Sequence, residues 1–221
     1  MAEKYGTIPK TFTKEWWEHF WTYYKWYAIV PLLIIVAVVF TIISATPPYD
    51  TVLSYAGSGI YTTEEAQKIE EALSPFCTDI DDNGKKLLSF NQYTFTGNIE
   101  NAEYENALRN KLFIALSEDE NFVFIMDKET ADIYAGDSEV GSMFAPLDDW
   151  FEGEYKGDNV YSANGVNYGI AVKDSPILKE LGLDYGERYL FIRFYPRRDQ
   201  LKKFLPGYEG AIEFANKLYK K

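Results

Sequence analysis

Polar and apolar positions divide the chain into two unlike parts. Residues 26–49 contain 24 positions in a row without a charge. The apolar heart, 28–45, reads AIVPLLIIVAVVFTIISA. As a helix its 18 residues would span roughly 27 Å, close to the hydrocarbon thickness of a bilayer. Pro31 falls near the start of this run, where a missing backbone donor costs little. Upstream, Trp17, Phe20, Trp21, Tyr24 and Ala28 follow a helical stripe, and Glu15, Glu18, His19, Thr22 and Lys25 fall largely off it. That pattern predicts an interfacial amphipathic helix over 13–27 leading into the spanning one, and a single continuous helix with an aromatic belt is the competing arrangement.

Beyond the apolar run the periodicities alternate. Residues 51–56 (TVLSYA) read as a buried strand ended by Gly57-Ser58-Gly59. Thr62-Thr63-Glu64-Glu65 is a capping-box start for a helix reaching about Leu73. A strand follows over 86–95, then a helix over 101–116 with Tyr104, Leu108, Leu112 and Ala115 on one face. Residues 122–126 (FVFIM) suit a strand buried on both faces. This β-α-β-α-β order predicts parallel strands joined by crossover helices. Asn164-Gly165 between 159–163 and 166–172 is a two-residue hairpin signal. A further strand over 189–195 and a helix over 210–218 complete the chain.

The domain organisation follows. Residues 1–27 form a cytoplasmic or interfacial aromatic helix, 28–46 a transmembrane helix, 47–49 a short stiff linker, and 50–221 an extracytoplasmic α/β domain. Four lysines precede the span, and the next basic residue after it is Lys68, so the positive-inside rule puts the N-terminal side in the cytoplasm. An uncleaved anchor fits better than a signal peptide, because the leader is long and contains acids, and Ile43-Ser44-Ala45 is a poor cleavage site.

Charge and composition narrow the function. The formal charge is −12; residues 1–26 contribute +1, so the remainder carries −13. A domain that acidic repels phosphate backbones, which argues against a nucleic-acid partner. Cys77 is the single cysteine and His19, ahead of the span, the single histidine. An intrachain disulfide, a thiolate zinc cluster and a Ser-His-Asp triad in the outer domain are excluded. The remaining enzyme class, a carboxylate-pair hydrolase using Asp148, Asp149, Glu152 or Glu154, is outweighed by plain solvation of acids on a polar loop. The chain therefore reads as a binding or structural protein and not as an enzyme. Residues 50–187 sum to −19 and 188–221 to +6. That basic end suits anionic lipid or wall polymer, or pairing with the domain's own acids.

Two ordered motifs carry a family likeness. Residues 144–150 (FAPLDDW) and 164–172 (NGVNYGIAV), placed after the FVFIM strand, resemble the "apLdd" segment and the "nGkxYGiPv" crossover strand of extracellular solute-binding proteins that feed ABC transporters. Ala171 stands where that family usually has proline. The likeness covers about residues 50–175, most of one lobe of the type 2 periplasmic-binding fold. It implies a three-layer α/β domain with a mostly parallel sheet, similar to a single such lobe. The residues after the crossover strand are expected to complete that one lobe, where the family has a long second lobe, and a helix stands in place of its usual lipid anchor. The chain also resembles a group of single-pass bacterial membrane proteins whose outer domain is a reduced solute-binding lobe.

Two candidate sites follow. In open α/β sheets ligands sit beyond the carboxyl ends of the strands; this places Tyr55, Ser58, Tyr93, Asp127 and Trp150 near one crevice, suited to a small polar solute or sugar. The loop 79–85 (DIDDNGK) matches the opening of a calcium loop, with Asp79, Asp81 and Asn83 as oxygen ligands, although Phe90 stands where a bidentate Glu belongs. The same residues equally make a solvated Asp/Asn-Gly turn. Besides membrane lipid, the expected partner is a membrane protein. The function expected is a membrane-anchored binding or interaction module, or else an accessory subunit that binds no ligand.

Overall fold

The computed structural model describes residues 10–45, 49–97, 102–117, 121–135, 143–195, 202 and 204–220. The chain divides into two compact units, Met1–Pro47 and Pro48–Lys221.

The first unit holds α1 (Lys14–Tyr23) and α2 (Lys25–Ala45). Thr13 caps α1, its hydroxyl accepting from the Trp16 N–H at 3.3 Å. Trp16, Phe20 and Tyr24 stack along one side with centroids 5.6 and 6.3 Å apart. At Tyr24 the backbone leaves helical geometry (φ −118°, ψ −2°). Its N–H still reaches Phe20 O, and the Tyr27 N–H turns back to Tyr24 O. The expected helix over 13–27 is therefore two pieces. Among the described residues no single helix is long and apolar enough to cross a membrane. Lys14–Tyr23 with Lys25–Thr41, bent by 70°, meets that requirement together on length and composition. Residues 28–45 of the span expected over 28–46 lie within α2, which does not meet that requirement by itself. Pro31 is the seventh residue of α2 and not near its start, so the N–H that would bond Tyr27 O is missing inside the helix. Leu32, Leu33, Ile34, Ile35 and Val36 are all exposed, which makes α2 apolar all round. Of the linker expected at 47–49, residues 47 and 48 lie outside the described residues.

The second unit is built on β1 (Thr51–Gly57), β2 (Leu88–Thr94), β3 (Val123–Asp127), β4 (Val160–Ala163), β5 (Val166–Ala171) and β6 (Arg188–Ile192). They form one six-stranded sheet in the order β2-β1-β3-β6-β5-β4. β1 pairs in parallel with β2 and β3, whereas β3–β6, β6–β5 and β5–β4 are antiparallel. The expected mostly parallel sheet is thus a mixed one. The cause is local on one side: Asn164 and Gly165 both take positive φ (51° and 77°), the geometry of a tight hairpin that forces β4 against β5. On the other side, β6 slots between β3 and β5 and runs against both.

Helices cover both faces. α3 (Thr63–Leu73) and α7 (Leu205–Tyr219) put Ile69, Leu73, Ala211, Phe214 and Leu218 against Leu53, Tyr55, Val123 and Ile125. α4 (Ala102–Ser117) and α5 (Lys128–Tyr134) put Leu112, Leu116 and Ala131 against Ala56, Phe124 and Met126. The alternation along β3 assigns neighbouring side chains to opposite cores. α6 (Pro176–Glu180) links β5 to β6. Tyr104, expected on the buried face of α4, is exposed, while Leu108, Leu112 and Ala115 are buried as expected. At the β2 edge, the Leu88 N–H donates to Ser74 Oγ (3.2 Å) and the Phe90 N–H to Glu70 Oε1 (2.8 Å), so side chains of α3 and of the residue that caps its end occupy hydrogen-bonding positions that another strand would take.

Candidate functional site

The strand order reverses between β1 and β3, the point at which open α/β sheets leave a crevice beyond their carboxyl ends. Here the protein fills that place itself. Asp127 ends β3 and caps α5, accepting from the Thr130 N–H at 2.9 Å through Oδ1. Its Oδ2 accepts from the Ser58 N–H at 2.7 Å. β1 passes beneath through Gly57 at φ +150°, and a Cβ there would lie 2.5 Å from Asp127 Oδ2. Only glycine meets both conditions.

Arg188, the cross-strand partner of Asp127, closes the other side. Its guanidinium donates to Ser58 O and to the Tyr61 hydroxyl at 3.4 Å. It lies 4.8 Å from the Tyr55 ring and 5.5 Å from the Tyr185 ring, and only 3% of the residue is exposed. The Tyr55 hydroxyl donates to the same Ser58 carbonyl at 2.6 Å. Ser58 is thus held through both its N–H and its C=O. Burial pushes the Tyr55 phenol well above its ordinary range and raises the Tyr61 phenol, with the Arg188 charge pulling both in the opposite direction.

Of the five residues expected at this rim, Tyr55, Ser58 and Asp127 come together. Tyr93 packs with the core on the opposite face of the sheet from Tyr55. Trp150 is buried at α7, where Asn216 Nδ2 donates to its carbonyl at 2.7 Å. Gly57, Tyr61 and Arg188 were missed. Arg188 stands 130 positions from Ser58, and only the placement of β6 beside β3 reveals it.

The acidic loop forms a second candidate. Asp79 accepts from the N–H groups of Asn83 (3.1 Å) and Gly84 (2.8 Å), and Asp81 from the Asn83 N–H (3.2 Å) and side-chain amide (2.7 Å). Asn83 Oδ1 accepts from the Lys85 N–H at 2.7 Å. Asp82 and Gly84 take positive φ to make the turn. Asp50, ahead of β1, joins them by accepting from the Ile80 N–H (2.9 Å) and the Leu87 N–H (2.8 Å). Carboxylate oxygens of Asp50, Asp79 and Asp81 all lie within 4.8 Å of one another. Phe90, at the twelfth loop position, is buried in β2. Asp50 is an acid that the loop alone did not reveal.

Two of the four acids weighed as a hydrolase pair are engaged locally: Glu152 pairs with Lys220 at 3.5 Å, and Asp148 accepts from the Tyr155 hydroxyl. No protein family, curated protein or solved structure matches the chain.

Proposed function

We propose that this chain is a membrane-anchored interaction module, with its N-terminal side in the cytoplasm and its α/β domain outside, that does not capture solute in the crevice at its strand ends. The observation that carries this reading is the occupied switch point: Asp127 and Arg188 already take the N–H and C=O of Ser58 that a bound solute would need. The parallel β2-β1-β3 arrangement supports a likeness to one lobe of the solute-binding proteins. The all-round apolar surface of α2 and the aromatic face of α1 support the anchor, because such a surface is stable only when lipid or protein covers it. A second reading, an accessory subunit that binds no ligand, rests on the same occupied rim.

The anchor is tested by alkaline carbonate extraction of membranes carrying the full chain: it remains in the pellet, and release into the supernatant sinks the reading. Orientation needs an engineered thiol, since Cys77 is fully buried and burial pushes its thiol up to about 11. Tyr185→Cys, at a 76% exposed position, is labelled by an impermeant maleimide on intact cells; protection until lysis reverses the topology.

We also read the acidic loop as a structural calcium site held by Asp50, Asp79, Asp81 and Asn83, with hard oxygen donors suited to that ion. Calcium at a hundred times its Kd then stabilises by about 2.7 kcal/mol. The melting temperature rises with calcium, does not rise with equal magnesium, and falls back on chelation or in Asp81→Asn. Equal melting temperatures in calcium and chelator would remove the site.

A further inference from the structure

A cavity of about 400 Å³ opens at the other end of the sheet, by the amino ends of the parallel strands, lined by Ala145, Asp149, Phe194, Tyr195 and Tyr208. Its position follows from the register: β6 runs against β3, so the residues after β6 return beside Phe122, and the Arg193 N–H bonds Phe122 O at 2.8 Å. The Tyr195 and Tyr208 rings stack at 5.2 Å, and Phe122 meets both edge-on at 6.0 and 5.5 Å. This aromatic cluster braces two of the lining residues. Phe194 is half-exposed, and the Asp149 carboxylate is exposed and makes no hydrogen bond or ion pair among the described residues.

We infer that this cavity is a binding site for a neutral saccharide ring. Its volume lies at the small end of the roughly 300–1,000 Å³ typical of ligand pockets, the size for one or two sugar units. Aromatic surface packs against the C–H face of a pyranose, and the Asp149 carboxylate accepts from its hydroxyls. The Asp149 carboxylate selects against anions. A neutral ligand that donates hydrogen bonds suits the aromatic surface and the carboxylate together.

The inference does not depend on the membrane anchor, which the carbonate extraction tests separately. The full chain, held in a detergent without a sugar headgroup, is titrated with glucose and with N-acetylglucosamine by calorimetry and saturation-transfer NMR. Tetramethylammonium and acetate serve as charged counter-probes. At least one of the two sugars binds, and Phe194→Ala and Asp149→Asn each weaken it about tenfold or more, a change of about 1.4 kcal/mol. Both substitutions leave the melting temperature near that of the parent, because both residues are at the surface. A tetramer of the binding sugar separates the two sources of this chemistry: tighter binding than the monomer identifies a glycan chain, and equal binding a free solute. No binding of either sugar, binding that survives both substitutions, or binding of a charged probe alone overturns the inference.

Discussion

A single methyl group at Gly57 tests how closely the strand-end rim is packed. The residue sits at φ +150°, and a Cβ on it would lie 2.5 Å from Asp127 Oδ2, so alanine brings both backbone strain and a clash with a carboxylate that anchors two amides. Gly57→Ala is expected to cost about 2–3 kcal/mol, combining a strained left-handed backbone with a weakened helix cap. Urea denaturation should show a lower midpoint with an unchanged slope. Asp127→Asn is a gentler change at the same place: its one oxygen serves either Thr130 or Ser58 but not both, and a loss of about 1–3 kcal/mol is expected for the orphaned donor. A variant as stable as the parent in both cases would mean that the rim is looser than its distances indicate.

At the scale of elements, the helix start at Thr62, the hairpin at Asn164-Gly165 and the doubly buried strand at 123–127 were legible in the chain, because each is written in neighbouring residues. Thr62 Oγ1 accepts from the Glu65 N–H at 3.3 Å while the Glu65 carboxylate accepts from the Thr62 N–H at 2.8 Å, the reciprocal pair that Thr-Thr-Glu-Glu announces. The place of β6 was not legible. Its apolar run identifies a strand, but nothing local in it names β3 and β5 as neighbours, and so the mixed sheet, Arg188 at the rim and the cavity beside Tyr195 were all hidden. Asp50 escaped for the same reason, since it meets the acidic loop through space. The α3 side chains at the β2 edge give a direct test of an element's role. Glu70→Ala leaves the Phe90 N–H without its acceptor and is expected to cost about 1 kcal/mol. It also uncovers part of an edge strand, so sedimentation velocity should reveal more self-association than in the parent.

For the whole molecule, the pH dependence has two limbs. Lys128 holds the Asp132 carboxyl below its ordinary range, and Lys217 with Thr78 does the same for Glu213. Groups lowered in the folded state add stability above their unfolded values, about 4, and that stability is lost as pH falls through the folded ones. Burial raises the Cys77 thiol to about 11 and holds the Tyr55, Tyr161 and Tyr219 phenols above their ordinary range. Their contribution is complete below the unfolded values, about 8.5 for the thiol and about 10 for the phenols, and is lost as pH rises through the folded ones. The melting temperature should therefore hold level between about pH 5 and 8 and fall on both sides, more steeply on the alkaline side where several buried groups must ionise together. A melting temperature that stays level to about pH 11 would contradict the burial of these phenols.

The shared carboxylate of Asp127 also has a kinetic consequence. The Ser58 and Thr130 amide protons, 72 positions apart, are held by the two oxygens of one side chain. Any fluctuation that swings this carboxylate away frees both at once. In native-state hydrogen exchange the two amides should therefore report one opening free energy and one response to denaturant, joining the loop after β1 and the first turn of α5 into a single cooperative unit.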